Sequence, residues 1–302
     1  MSISNFTIYE DCVPCILNMC LNGMRNAKFS NSTIREIFKD ALKNIFSKDM
    51  IWDYTSAEVV EFLLVEITKK TNEKDFFAKI KQTSNSKLLS IYDKLKEDIY
   101  SSDSPLLNAI KLSIIGNTID VMVSKNPLQN LEAFLKNKIS SLKVDMKMYD
   151  KLYNELKNSK SLLVIGDNAG EAVLDKLMIE VLKDTFNTKI FYATRSEPAL
   201  NDITYQEALN IGLNDICEVI SNGVKGQLPG TVLSRCSKEF LDIFYSVDLI
   251  ISKGGGNFES LLNEKNLPSH TYFLLMCKCN VHSTIFNLPV GNGIIWQKNS
   301  KS

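Results

Sequence analysis

From residue 161 onward, short apolar runs alternate with helical patterns, and this alternation restricts the possible folds more than any other feature of the chain. Runs at 162–166, 189–193, 215–220, 248–252 and 272–276 are rich in Leu, Val, Ile, Phe and Tyr and have the length of buried strands. Helical periodicity fills most of the gaps between them. Strands that alternate with helices build βαβ units, and these build a mostly parallel sheet.

Residues 11–158 follow a different grammar. Ile34, Ile37, Phe38, Leu42 and Ile45 recur close to a 3.6 period, which predicts a helix over 31–47, with Ser32 and the charged pair Arg35-Glu36 at its start. Val59, Val60, Leu63, Leu64 and Ile67 predict another over 57–68. Further helices are expected at 86–100, at 105–123 with Pro105 in the first turn, at 131–142 and at 148–156. No repeat and no low-complexity linker separates the two halves. The expected architecture is α/β: an all-helical N-terminal domain, residues 1–158, packed against a Rossmann-like, mostly parallel sheet domain, residues 159–302.

Charge and hydropathy narrow the partners. The 35 basic and 35 acidic residues leave a formal net charge of +0, so no surplus draws the chain to nucleic acid or to an anionic membrane. The most apolar helical stretch, 106–123, is interrupted by Asn108, Lys111, Asn117 and Asp120 and is too polar to span a bilayer. Residues 1–11 lack the basic region of a signal peptide. These features point to a cytoplasmic protein whose seven cysteines are reduced thiols.

Candidate chemistry gathers where strands end. The first strand closes on Gly166, and Asp167, Asn168, Ala169, Gly170 and Glu171 follow before a helix begins. Ligands of open α/β sheets collect beyond the carboxyl ends of the strands. The hard oxygens of Asp167 and Asn168 suit Mg²⁺, Mn²⁺ or a similar cation. The same residue types also cap helices, so either use fits this run. The glycine spacing is not that of a dinucleotide fingerprint. After the second strand, Pro198 stiffens a loop that carries Arg195 and Asp202, and Thr204 with Glu207 forms a capping box. Asp202 is thus freed from capping and is either a ligand or a solvated loop acid. After the fourth strand comes Lys253-Gly254-Gly255-Gly256-Asn257, where backbone amides at a helix start can approach an anion and Lys253 can meet a phosphate. The segment 223–231 is expected to be a mobile loop, with Thr231 opening the next helix. Asn117 and Asp120 share one face of an otherwise apolar helix; they either bond neighbouring helices or reach the ligand edge of the sheet.

Cys12-Val13-Pro14-Cys15, with Cys20 nearby, and Cys277-Lys278-Cys279 leave three readings open: small buried hydrophobes, a redox pair, or a metal clip formed if the two groups meet in space. Only two histidines are present, His270 and His282, which argues against a histidine-rich metal centre.

The order and spacing of these motifs resemble the damage-control phosphatase family, the acidic-residue-methyltransferase-like proteins first catalogued as a domain of unknown function, and in particular its short archaeal and bacterial branch with an N-terminal CxxC. The resemblance covers nearly the whole chain. It is carried by Cys12 to Cys15, Asp103-Ser104-Pro105-Leu106, Gly116-Asn117-Thr118-Ile119-Asp120, Gly166 to Glu171, Asn201-Asp202, Pro229-Gly230-Thr231, Ser252 to Glu259 and Lys278-Cys279.

The resemblance implies a helical N-terminal region on an α/β domain, and a metal-dependent phosphatase acting on small phosphorylated metabolites such as sugar phosphates. It implies a divalent cation (Mn²⁺, Mg²⁺, Co²⁺ or Ni²⁺) held by Asp167, Asn168 and Asp202, with Lys253 as a phosphate contact. The reading of the strand ends adds, apart from the resemblance, Arg195, Thr231 and the loop of Gly254, Gly255 and Asn257 on the substrate side, with Asn117 and Asp120 closing it from the helical half. The nucleophile is either a water or a carboxylate such as Asp167. Two departures stand out. The family's KGQGN reads Lys253-Gly254-Gly255-Gly256-Asn257, without the glutamine, and the loop at 224–228 is longer than usual. Two rival functions are an S-adenosylmethionine-dependent carboxyl methyltransferase, to which one family branch has been linked, and a non-catalytic protein that binds a phosphorylated metabolite.

Overall fold

Local sequence explains where the helices begin. In a computed structural model, which describes residues 6–46, 51–118 and 128–298, eight α-helices precede the first strand among the described residues: α1 Cys12–Asn26, α2 Asn31–Phe46, α3 Ser56–Thr71, α4 Ala78–Leu89, α5 Tyr92–Tyr100, α6 Pro105–Gly116, α7 Leu128–Ser141 and α8 Met146–Asn158. Thr55 and Glu58 cap α3 reciprocally, Asp145 caps α8 through two backbone N–H groups, and Pro105 occupies the first turn of α6. The helix expected over 86–100 is interrupted at Ser90 and Ile91, so that two shorter helices, α4 and α5, cover it. Asp120 and the rest of the expected helix beyond Thr118 lie outside the described residues.

The second half alternates as its pattern predicts: β1 Ser161–Ile165, α9 Glu171–Thr185, β2 Lys189–Thr194, α10 Tyr205–Asn210, β3 Glu218–Ser221, α11 Lys238–Ser246, β4 Leu249–Lys253, α12 Gly254–Leu262, β5 Thr271–Met276, α13 Asn280–Phe286 and β6 Gly293–Gln297. The strand order is β3-β2-β1-β4-β5-β6, with all neighbours parallel except β5 and β6. The antiparallel edge strand β6 is an addition to the five strands read from the sequence. Its run is short and follows Pro289 and Gly291, which mark a turn. At the other edge, the start of the expected third strand is taken by a 3₁₀ turn at Leu213–Asp215.

Packing joins the two halves. Leu88, Leu95, Ile110, Ile114, Leu135 and Leu152 from the helical half share one core with Leu162, Val164, Ile251 and Leu274 of the sheet and Leu177 of α9. The opposite sheet face, with Leu163, Ile165, Ile250 and Phe273, is covered by Phe240 of α11 and by Phe258 and Leu261 of α12. A third cluster within α1 to α3 takes in Ala199 and Leu200 from the loop after β2. The change of pattern near residue 158 therefore does not divide the core. Among the described residues no helix is long and apolar enough to cross a membrane.

The topology also sets the place for a site. β1 and β4 are neighbours, paired through Ile165 and Ser252, and their following connections lead to opposite sides of the sheet. Such a switch point opens a crevice beyond the carboxyl ends of the two strands.

Candidate active site

The turn after β1 and the loop after β2 are stitched together at this crevice. Ala169 N–H donates to Asn201 O at 2.8 Å, Ile203 N–H to Asp167 O at 2.8 Å, and Arg195 N–H to Ile203 O at 3.0 Å. Asn168 and Asp202 form an isolated bridge. Leu200 adopts a φ of 51°, a left-handed conformation that a leucine rarely takes, two residues before Asp202. The third contributor follows β4. Gly254 has a φ of 76°, and a Cβ there would lie 1.9 Å from Asp167 Oδ2, so glycine is required for the Asp167 carboxylate to occupy its place.

These segments bring Asp167, Asn168 and Asp202 together as buried polar groups. Asn168 Nδ2 donates to Asp167 Oδ2 at 2.7 Å and to Glu171 Oε2 at 3.1 Å, so the group it offers to a cation is its Oδ1. Neither Asp167 nor Asn168 caps α9 with its side chain. The residue before the helix is Gly170, whose N–H donates to Asn85 Oδ1 of α4 at 2.6 Å.

Arg195 braces the same acids. Its Nε donates to Asp202 Oδ2 at 2.6 Å, Nη1 to Thr231 Oγ1 at 3.3 Å and Nη2 to Asn257 Oδ1 at 3.0 Å, and Nη2 lies 3.8 Å from Asp167 Oδ1. Asn257 Nδ2 donates to Gly166 O at 2.9 Å and to Lys253 O at 2.7 Å, which ties the start of α12 to the end of β1. Thr231 does not open a helix as expected. It is fully buried, its N–H donates to Ser260 Oγ at 2.9 Å, and α11 begins seven residues later behind the cap Ser237. The loop expected to be mobile is likewise held down. Gln227 Oε1 accepts from Thr68 Oγ1 at 2.8 Å, and Arg235 forms a two-pronged pair with Glu61 at 2.7 Å.

Lys253 faces another set of partners. Its ammonium is fully buried and donates to Glu171 Oε1 at 2.5 Å, Asp175 Oδ1 at 2.8 Å and Ser113 O at 3.0 Å, which accounts for all three of its protons. In this arrangement it has no donor left for a phosphate. Gly255 also departs from a bare anion loop. A Cβ there would meet the His282 ring at 3.2 Å, so the imidazole occupies the space beside it, where the family's glutamine side chain would begin.

Electrostatics distinguishes the residues further. Burial, then the charge of Asp202, pushes the Asp167 carboxyl up to about 7 against the pull of Lys278, Arg195 and Lys253. Burial lifts Glu171 to about 7 although Lys253 opposes it, and burial also raises Asp202 against Arg195. For Lys253, burial works against the charge, but Asp175 and Glu171 outweigh it and the amine is pushed up to about 12.

The same region is matched by known proteins. The family model described as damage-control phosphatase ARMT1-like domain matches residues 8–293. The chain belongs to this family. It is 31% identical to the damage-control phosphatase PH1575 of Pyrococcus horikoshii, over 94% of this chain and 96% of that protein. It is 25% identical to a damage-control phosphatase of Archaeoglobus fulgidus, over 93% and 96%. The crystal structure of a DUF89 family protein from Pyrococcus horikoshii superposes with a TM-score of 0.86 at 27% identity, covering 98% of this chain and 100% of that one.

The donor set fits the divalent cation that the family resemblance implies. Two carboxylates and an amide oxygen are hard ligands, and the charge of Asp202 raises the cost of ionising Asp167. Asn117 adds an independent sign. Its Nδ2 donates to Asp167 Oδ2 at 2.8 Å and to Glu171 Oε2 at 3.2 Å, while its buried Oδ1 has no hydrogen-bond partner among the described residues. An orphaned carbonyl beside an acid pair is the kind of group that a cation or a bound water satisfies.

Several functional candidates escaped the sequence reading. Glu171 and Asp175 lie four apart on a helix whose other first-turn residues are apolar, and two acids on one buried helix face call for a buried cation. Lys81 of α4 is fully buried between Asp75 and Glu207, at 2.7 and 2.8 Å, and eases the ionisation of Asp202. Lys278, exposed in the loop after β5, exerts the strongest cationic pull on Asp167. The pattern Lys278-Cys279 carries the family resemblance, but nothing in its local sequence ties it to Asp167.

Proposed function

We propose that this chain is a metal-dependent phosphatase of small phosphorylated metabolites, with Asp167, Asn168 and Asp202 as ligands of one divalent cation, Mn²⁺, Mg²⁺, Co²⁺ or Ni²⁺. The observation that carries this reading is the pair of facing buried carboxylates, braced by Arg195 and joined by an asparagine amide at the switch point of the sheet. The names of its relatives in Pyrococcus horikoshii and Archaeoglobus fulgidus support a phosphatase. When bound, the cation supplies Lewis-acid stabilisation of charge on a phosphoryl group.

The chain's own residues divide the remaining work. Arg195 holds Asp202 by its Nε and is itself held by Thr231 and Asn257, so the Asp202 carboxylate is fixed in direction. Glu171 accepts from both Asn117 and Asn168 and orients their amides. Lys253 neutralises Glu171 and Asp175 from below and acts as a positioning residue. Lys278, exposed and acting on Asp167, is a cation placed to meet substrate phosphate.

The test is release of phosphate from an aryl phosphate by metal-stripped protein, with each of the four cations added back in turn. Turnover that returns with a cation and is lost in Asp202→Ala is the expected result. Folded wild-type protein that stays inactive with every cation overturns the proposal.

A further inference from the structure

The buried face of α4 is polar where that of a packed helix is normally apolar. It is formed by Lys81, Ser84, Asn85 and Leu88, and Lys81 is wholly enclosed. Burying an ammonium or an amide costs free energy unless each finds partners, so such a face serves position more than hydrophobic packing. Lys81 and Asn85 each find a partner on a segment that carries proposed cation ligands.

Asn85 serves the turn after β1. Its Oδ1 accepts from Gly170 N–H at 2.6 Å, and Gly170, with a φ of 67°, is the hinge between Asn168 and the first turn of α9. Asn168 O accepts from Ala172 N–H at 3.1 Å and Gly170 O from Val173 N–H at 3.0 Å, so the residue that Asn85 holds is the one that joins the Asp167-Asn168 turn to its helix. Lys81 serves the loop after β2. Its Nζ lies 2.8 Å from Glu207 Oε1. Glu207 Oε2 in turn accepts from Thr204 N–H at 2.9 Å and from Thr204 Oγ1 at 2.7 Å. Thr204 is bridged to Arg195 and stands two residues beyond Asp202, whose charged form the Lys81 ammonium favours. Lys81 and Asn85 are four residues apart, on one face of the helix and about 6 Å apart along its axis.

α4 is itself held at both ends. Phe76 and Phe77, just before it, belong to the cluster of α1 to α3, and Leu88 in its last turn belongs to the core shared with the sheet. Lys74 O accepts from Gln227 Nε2 at 2.7 Å, and Asp75 supplies the second carboxylate of Lys81 at 2.7 Å. A helix anchored in two cores keeps constant the spacing of the segments it grips.

We propose that Lys81 and Asn85 are positioning residues for the cation site: α4 holds the Asp202 loop and the Asp167-Asn168 turn at the separation that a divalent cation requires, so that cation affinity in the sheet domain depends on the helical half. This inference rests on the metal-dependent reading of the site. Charge and position act with opposite sign at Lys81. By charge alone, removing a buried cation near Asp202 tightens the hold on a divalent ion. By position, releasing Glu207 loosens the Asp202 loop and weakens it.

The experiment titrates Mn²⁺ into the metal-stripped full chain at pH 8 and reads the free ion by electron paramagnetic resonance, which needs no turnover. Circular dichroism and thermal melts establish that each variant is folded. The Kd for Mn²⁺ is expected to rise about tenfold in Asn85→Leu and in Lys81→Met, the lower end of what loss of a ligand-orienting group costs. Asn85→Asp keeps an acceptor for Gly170 N–H and is expected to return most of the affinity. Leu152→Ala, a core substitution in α8, is expected to lower the melting temperature and leave the Kd unchanged. Where Lys81→Met fails to fold, Asn85→Leu and its rescue by Asn85→Asp decide. Wild-type protein that binds Mn²⁺, with folded Asn85→Leu and Lys81→Met binding it as tightly or more so, overturns the role of α4 alone. A Kd that rises equally in Leu152→Ala reduces the effect to general stability and overturns it as well. Wild-type protein that binds no Mn²⁺ overturns the metal reading on which the inference rests.

Discussion

Two buried clusters of cations and acids lie on either side of Asp167, and they are built to different ends. Around Lys253, three acceptors satisfy three protons, and Tyr192 and Ser113 close the shell by donating to Asp175 at 2.9 and 2.6 Å. Around Arg195, the guanidinium is shared among Asp202, Thr231 and Asn257 and stands back 3.8 Å from Asp167. The first cluster is balanced. The second leaves Asp167 with no cation in hydrogen-bond contact, and burial, then the charge of Asp202, pushes its carboxyl up to about 7. A fully compensated buried cluster is scaffold, and an under-compensated one beside it is where a cation gains most by binding.

The sharpest way to break this contrast is at Asp202. Asp202→Ala removes one proposed ligand and leaves Arg195 without its carboxylate. Loss of kcat/KM of about a hundredfold or more is expected, since a Lewis acid contributes several kcal/mol to such a reaction. A variant that keeps full cation-dependent turnover would falsify the assignment of the under-compensated cluster as the metal site.

Lys253→Met tests the balanced side. Removing the cation strands Glu171 and Asp175 in a dry core, and breaking a buried pair in this way costs about 3–5 kcal/mol. The loss is expected to be larger at pH 8 than at pH 6, because Glu171, already raised to about 7, escapes part of the penalty by taking up a proton. Denaturant titrations at both pH values measure it. Unchanged stability together with a raised KM would instead make Lys253 a substrate contact.

The third test uses pH on metal-free protein. Asp167 has an ordinary carboxyl pKa of 3.8 and is raised to about 7 in the fold. Between those values the unfolded chain has released a proton that the folded chain retains. This group's contribution to stability therefore falls as pH rises from about 4 to about 7 and changes little above. A cation at a hundredfold excess over its dissociation constant returns about 2.7 kcal/mol. Thermal melts of the metal-free chain that rise between pH 5 and pH 8, or that do not respond to Mn²⁺ at pH 8, contradict the contrast between the clusters.

The same contrast explains what could be read from the sequence. The parallel strands were legible because each is a continuous apolar run, and Asp167, Asn168 and Asp202 were legible because they follow strand ends. Edge positions were not: β6 pairs on one side only, so a few apolar residues suffice, and a 3₁₀ turn replaces the start of β3. Lys253 stood at the right strand end, but its direction depends on Glu171 and Asp175, which a helix presents from another layer. The burial of Thr231 also escaped notice. Glycines and a proline around it read as a loose loop, yet its partners Asn257 and Ser260 are 26 and 29 residues away in the chain. Such pairings of polar groups leave no periodic trace.

The gentlest test is Lys278→Ala. This residue is exposed, so its loss is expected to change stability by no more than about 0.5 kcal/mol. It is also the strongest cationic influence on Asp167, and its removal takes away the charge that the proposal assigns to substrate phosphate. KM for an aryl phosphate should rise about tenfold, the value of one good charge-assisted contact, and cation affinity should increase slightly as competing positive charge leaves Asp167. Arg at this position should restore most of the affinity because charge rather than shape is what the exposed site requires. If Lys278→Ala leaves KM unchanged while Lys253→Met raises it, the roles of the two lysines are exchanged, and the balanced cluster must open during the reaction to release its ammonium.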